Sequence, residues 1–293
     1  MGFPRLRCAA VKLKSYKTLW GMPGPLDAAF RRIAEAGYDG TEIQLPSDAR
    51  VFKRLLKKYG LAFIPILSTQ GRDWREHAQS FESLLKHALP CTSHIVTAHS
   101  GSDLFSPADQ VRYMETVLAT ARPYEERLGI RVCHETHRAR ILFHPREAGN
   151  LLRQFPELRL VADFSHWTVV CMSLLEDQPD TMALACERAW HFHSRVGGDN
   201  APQVADPRAP EFAAQVAAQD RWWDTILAAQ RSQGRAIMTC TQEYGPPSFQ
   251  ATLPYTGQPV ADIWDICLHE HARFKARFAL AEASDQVPSQ RTT

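Results

Sequence analysis

The sequence predicts a single (β/α)8 barrel, and three observations carry that prediction. Eight short apolar runs recur along the 293 residues, with helical segments between them. Strands alternating with helices imply parallel strands joined by crossovers, and eight such units in this length fit one closed barrel domain. Several runs also end in a residue that can hold a metal or a substrate: His99, Glu135, Asp163, His193 and Glu243. A barrel brings the C-terminal ends of its strands to one mouth, where its chemistry sits. Finally, no Gly-x-Gly-x-x-Gly follows the first run. The runner-up, a doubly wound open sheet, therefore has no support in its dinucleotide-binding form.

Taken in order, the first strand is read at Leu6–Val11, followed by a loop carrying Trp20 and a helix from about Leu26 to Ala36, closed by Gly37. Gly40–Leu45 is the second strand, with Glu42 and Gln44 on one face. Ser47 or Asp48 caps the next helix, which runs to Tyr59 and stops at Gly60. The third strand, Leu61–Leu67, contains Pro65, which donates no ladder bond and is expected at a strand end or bulge. A helix over about 74–88 leads to the fourth strand, His94–His99, and Pro107 opens a long helix to about Leu128. Ile130–Glu135 is the fifth strand, Pro145–Gln154 a helix, and Leu158–Asp163 the sixth strand. The stretch 171–189 is partly helical with an interruption at Pro179; the seventh strand, Ala189–Val196, follows. A Gly/Pro-rich loop spans 197–210, a helix runs from about Glu211 to Ser232, and the eighth strand is Ala236–Glu243. A second Pro/Gly-rich loop, 245–259, precedes a final helix to about Ala281. Both long loops follow late strands and are expected to overhang the mouth as lids. The barrel domain is set at 1–283, and 284–293, rich in Ser, Gln and Thr, is expected to be a disordered tail.

Composition narrows the function. A net charge of +2, with acids and bases mixed along the chain, lacks the basic stripe of a nucleic-acid binder. The seven cysteines are scattered without a Cys-x-x-Cys pair, as expected of reduced thiols in a core. The N-terminus lacks the apolar run of a signal peptide, and Leu6 stands where a myristoylation signal wants Ser or Thr. No apolar run approaches a membrane span. The expectation is a cytoplasmic protein with a small-molecule substrate, no nucleic-acid or membrane partner, and a homo-oligomer as an open possibility.

The run Ala189–Val196 is the most informative. A strand alternates its faces, so His191 and His193 point one way and Phe192 the other. Buried alone, a histidine is usually a hydrogen-bonded core residue. Here three carboxylates, Glu135, Asp163 and Glu243, end neighbouring strands. Converging in a partly desolvated mouth they repel one another, unless their pKa values rise or a cation compensates. Together with His193 they make an oxygen-rich set with one nitrogen. That set suits one divalent ion, Mn²⁺ first, then Mg²⁺ or Co²⁺, with Zn²⁺ also admitted.

These motifs, in this order, resemble the xylose isomerase-like barrels, the group of sugar-phosphate isomerases and epimerases. Gly37-Tyr-Asp-Gly-Thr-Glu42 is similar to the family's second strand, Glu135 to the Glu ending strand five, and Asp163-Phe-Ser-His166 to the Asp-x-x-His after strand six. His191-Phe-His193 is similar to the His-x-His of strand seven, and Glu243 to the Glu of strand eight. The resemblance implies that Glu135, Asp163, His193 and Glu243 bind one metal and that His166 holds a substrate oxygen. It also implies that Glu135 and Glu243 move protons on opposite faces of a keto-sugar or sugar-like polyol, through a metal-stabilised enediolate. The family's arginine past strand seven is replaced by Asp199; Arg195 is the nearest substitute. Glu42, His99, His137, Arg138, Arg195 and Trp167, near strand ends, join the expected substrate-binding set. A lyase or dehydratase acting on an inosose or 3-keto-glycoside begins with the same proton abstraction and stays open. An endonuclease IV-type hydrolase needs further histidines, and 194–235 has none. A non-catalytic binding barrel is the remaining alternative.

Overall fold

The computed structural model describes residues 11–286, with side chains to residue 278. Eight parallel strands close in sequence order into a barrel. They are β1 (Lys12–Thr18), β2 (Gly40–Ile43), β3 (Ala62–Ser68), β4 (Ile95–His99), β5 (Arg131–Glu135), β6 (Leu160–Ala162), β7 (Ala189–His193) and β8 (Ile237–Gln242). The helices are α1 (Leu26–Glu35), α2 (Ala49–Tyr59), α3 (Trp74–Ala88), α4 (Pro107–Leu128), α5 (Pro145–Gln154), α6 (Ser165–Cys171), α7 (Pro179–Arg188), α8 (Ala213–Ser232) and α9 (Ile263–Gln286). The architecture is a (β/α)8 barrel of one domain, as the alternation of elements predicts.

Local chemistry accounts for most boundaries. Asp48 accepts the Val51 N–H at the start of α2, and Gly60 ends that helix at a φ of 65°. Asp73 accepts two backbone N–H groups of α3, and Ser106 caps α4 ahead of Pro107. Pro179 opens α7 rather than interrupting a helix; its missing N–H costs nothing in a first turn.

Three expectations change. The first strand is Lys12–Thr18, not Leu6–Val11; residues 6–10 lie outside the described residues, and Val11 belongs to no strand. Three lysines in seven residues hide the strand, yet Lys17 is buried and Tyr16 fills the barrel interior. Pro65 lies inside β3, where it pairs with Ile43 of β2 while the β4 ladder begins one residue later at Ile66. The missing donor therefore falls at the handover between neighbours, neither at a strand end nor at a bulge. The third change is at the C-terminus. Helix α9 runs to Gln286, three residues into the expected tail; 287–293 lie outside the described residues.

The core has two layers. The larger lies between strands and helices and holds Val96, Val132, Leu160 and Phe192 against α3, α4, α5, α7 and α8. The inner layer is small: Tyr16, Ile64, Ile95, Cys133 and Val161. Gly40 of β2 keeps this interior tight, because a Cβ there would lie 2.5 Å from the Tyr16 ring and 2.4 Å from the Ala62 carbonyl. The β6–β7 register shifts between Leu160 and Val161, so Trp190 is an extra residue on β7.

Above this layer the inward positions turn polar. Glu42, Thr97, Glu135, Asp163, His193 and Thr241 are all at most 1% exposed. Alternation of strand faces thus builds the barrel as apolar below and chemical above.

Candidate metal centre

Four strands deliver the central group. Glu135 ends β5, Asp163 follows β6, His193 ends β7 and Glu243 follows β8. One donor atom from each lies within 4.8 Å of the others. His193 Nδ1 is the hub, at 2.6 Å from Glu243 Oε2, 3.4 Å from Asp163 Oδ2 and 3.7 Å from Glu135 Oε1. Among the described residues none of these contacts has hydrogen-bond geometry at Nδ1, and Glu135 Oε2 also lacks a hydrogen bond. Buried polar atoms this close without hydrogen bonds fit donors that share a cation.

The electrostatics agree. Burial opposes charge on His193, but Glu243, Glu42 and Glu135 outweigh it and hold its pKa well above the usual value. Burial raises Glu135, yet His99 and His193 bring it down to about 2. Asp163 and Glu243 follow the same pattern: burial raises each, and Arg195 and His193 pull each below its usual value. Three ionised carboxylates therefore demand positive charge, and imidazolium and guanidinium supply it here. The set fits a divalent ion bound by Glu135, Asp163, His193 and Glu243.

Arg195 is the most consequential surrounding side chain. Fully buried, it donates from Nη2 to Asp163 Oδ2 at 2.6 Å and from Nε to Ser165 Oγ at 2.8 Å. It also lies 2.7 Å from His166 Nε2. A guanidinium only donates, so Nε2 is the acceptor and His166 carries its proton on Nδ1. That Nδ1–H is buried without a partner among the described residues.

Glu42 lies deeper than a substrate contact. Its Oε2 is 3.2 Å from Nε2 of both His191 and His193, and Thr97 donates to Oε1 at 2.5 Å. Burial raises its pKa, and the two histidines carry it well below the usual carboxylate value. Glu42 thus supports His193 from beneath, the place of a carboxylate behind a metal-bound histidine. Trp167 also leaves the expected substrate set. It is wholly buried, packs in the outer core and donates its indole N–H to Leu142 O at 2.8 Å. Helix α6 turns it away from the mouth.

His99 and His137 do face the mouth. They line a cavity of about 300 Å³ with Thr18, Trp20, Gln44, Ile66, Glu243 and Phe249. His99 Nε2 is 2.7 Å from Glu135 Oε2, and its ring stacks on His137 at 4.6 Å. His137 in turn lies 4.1 Å from the His166 ring and donates from Nδ1 to the Arg138 carbonyl. Burial brings His137 down to about 4, so this ring is neutral. Arg138 lies over Phe249 at 4.6 Å. Phe249 and Ser165 escaped the sequence reading of the site, since no motif marks a loop aromatic or a serine behind an arginine; Trp20, readable from the sequence either as an apolar wall or as packing, lines the cavity.

The two long loops are tied together, and the second lines this cavity through Phe249. Gln203 donates to Gly245 O at 3.0 Å and accepts from Gly245 N at 2.8 Å. Tyr244 Oη accepts from Val196 N at 3.1 Å.

The sequence profile of a family described as xylose isomerase-like TIM barrel matches residues 30–210, more than half the chain. A search of curated protein sequences finds no match. Solved structures share the fold. The IOLI protein with a bound zinc atom superposes with a TM-score of 0.59 at 11% identity, over 90% of this chain and 97% of that one. A 3-keto-D-glucoside 4-epimerase from E. coli gives 0.57 at 16% identity, over 90% and 100%. A probable 3-DHS dehydratase from Bacillus anthracis gives 0.56 at 15% identity, over 89% and 98%.

Proposed function

Because the chain belongs to the xylose isomerase-like TIM barrel family, we propose that it is a divalent-metal-dependent isomerase or epimerase acting on a keto-sugar or sugar-like polyol. The observation that carries this reading is the group Glu135, Asp163, His193 and Glu243, gathered at the barrel mouth. Glu243 also lines the cavity of about 300 Å³ there, a volume near the lower end of small-ligand sites. An epimerase and a zinc-holding barrel share the fold.

Glu135, Asp163, His193 and Glu243 would hold the ion. When bound, the ion would polarise a carbonyl oxygen and stabilise negative charge developing on it. The chain's own groups do the rest. Glu135 and Glu243 are the proton carriers: one, held ionised, accepts the proton from carbon, and the other, first loaded with a proton from solvent, returns one. Arg195 fixes Asp163 and sets the His166 tautomer, and His166 offers its unpartnered Nδ1–H to a substrate oxygen. Trp20 and Phe249, in edge-to-face contact at 4.8 Å, form an apolar wall of the cavity.

A lyase reading has one observation in its favour. His99, His137 and His166, gathered beside Glu135, place further imidazole N–H groups where a leaving oxygen could take a hydrogen bond. A dehydratase also shares the fold.

The test is a screen of keto-sugars, inososes and 3-keto-glycosides in deuterated water with the Mn²⁺-loaded protein. Deuterium gained at the carbon beside the carbonyl, with substrate and product otherwise of equal mass, is the result expected. Loss of water or an aglycone would transfer the protein to the lyases. No exchange in any substrate, with metal bound, would overturn proton abstraction.

A further inference from the structure

At the opposite end of the barrel the strand starts form a second convergence. Inward alternation places Lys14 on β1 and Arg131 at the first residue of β5, with Arg159 and Arg235 just ahead of β6 and β8. The extra residue on β7, Trp190, sits among them. Its ring has Arg235 at 3.5 Å, Arg159 at 5.2 Å and Arg131 at 5.7 Å. Arg131, Arg235, His94 and Trp190 line a cavity of about 320 Å³, with Ile95 and Ile237 as apolar wall.

The charges here are not balanced. Arg159 pairs with Glu125 at 3.2 Å. The hydrogen bonds of Arg131 and Arg235 among the described residues go to backbone carbonyls, and neither cation has an ion pair there. Arg235 Nη1 is buried with no partner among the described residues. Burial, then Arg159 and Arg131, pull the Arg235 pKa down to about 10. His94 is neutral and adds no repulsion, since burial, Lys14 and neighbouring cations bring it to about 4. Cation–π contact with one indole orients these guanidinium groups but leaves their mutual repulsion in place. An oxyanion would relieve it, and two guanidinium forks without an ion pair among the described residues suit a tetrahedral phosphoryl group.

We propose that this floor cavity, walled by Trp190 and lined by Arg131 and Arg235, binds a small molecule through a phosphoryl group. The site is separate from the metal centre and stands or falls without it. Its affinity is set by the two guanidinium groups, and its size by the indole and the aliphatic wall.

The experiment is calorimetric and thermal-melt titration of the full-length protein with inorganic phosphate, against chloride at equal ionic strength. The expected result is a saturable stabilisation by phosphate over chloride, weakened at least tenfold by Arg235→Gln and by Arg131→Gln. Each variant serves if the other fails to fold. Glu243→Gln, at the far mouth, should leave the phosphate effect intact. Malonate, a carboxylate probe of similar size, should bind more weakly. An unsaturable shift, or one equal in chloride, overturns the site. So does a shift that survives both arginine substitutions or disappears in Glu243→Gln. Malonate binding as tightly as phosphate overturns the phosphoryl assignment.

Discussion

Replacing Glu243 by Gln tests the centre from both sides of its charge balance. The carboxylate lies 2.6 Å from His193 Nδ1 and 3.8 Å from Arg195 Nη1, with a side chain 14% exposed. Two unit charges about 4 Å apart interact by about 4 kcal/mol at an effective dielectric of about 20. Allowing for partial exposure leaves about 2–4 kcal/mol, roughly 30- to 1,000-fold in metal affinity. With metal at about 100 times the parent dissociation constant, the parent gains about 2.7 kcal/mol of stability. A variant about 30-fold weaker gains less than about 1 kcal/mol at the same concentration. The parent melting temperature should therefore rise by about 4 °C on adding Mn²⁺, and that of Glu243→Gln by much less. Without metal the variant should be somewhat less stable than the parent, because attraction from His193 and Arg195 outweighs burial and repulsion from Glu135 at this carboxylate. Chelator competition gives the affinities, and melts with and without Mn²⁺ give the stabilities. Stoichiometric, undiminished metal binding in Glu243→Gln would remove this residue from the centre. No metal binding by the parent would dissolve the centre altogether.

Two further outcomes follow from the same geometry. Glu42→Gln leaves the four ligands in place but removes the charge behind His193. Metal affinity should fall about 10- to 100-fold with stoichiometry unchanged, and an unaltered affinity in the chelator assay would deny Glu42 a positioning role. Acid should destabilise the fold through histidines held neutral away from the centre. Burial, joined by neighbouring cations, lowers both His94 and His271 to about 4. Below the unfolded value of about 6.5 the unfolded chain binds protons that these residues refuse when folded. Their contribution is complete above about pH 6.5 and fades as pH falls toward 4. Before solvent screening each shift is worth about 2 kcal/mol between pH 7 and pH 5, so urea unfolding should show a loss of up to about 4 kcal/mol, roughly halved in His271→Gln; equal stability at both pH values refutes it.

Much of this was legible in the sequence because barrel chemistry lies at strand ends. Apolar runs closing in Glu135, Asp163, His193 and Glu243 state both the element and its cargo, and the His191/His193 alternation survives unchanged in the fold. Helix starts at Pro107, Pro145 and Asp48 were equally plain, since their chemistry is local. Strand β1 was not, because Lys12, Lys14 and Lys17 read as solvated charge, whereas the barrel half-buries Lys14 and buries Lys17. The depth of Glu42 and the turning of Trp167 into the core depend on where β2 and α6 sit relative to the mouth, which no local pattern encodes. Arg195 was recognisable as a candidate, but its partnership with Asp163, Ser165 and His166 arises from residues 29 to 32 positions away.

Gln203 gives the cover of the mouth a mechanical character. Its one amide grips both backbone groups of Gly245, and Val196 holds Tyr244 beside it. The segments after β7 and β8 are therefore joined like two leaves of a book along one spine. Neither leaf can lift far without tearing a buried, two-bonded clasp or carrying the other along. A change of length or stiffness in one segment is therefore felt by the other through the clasp.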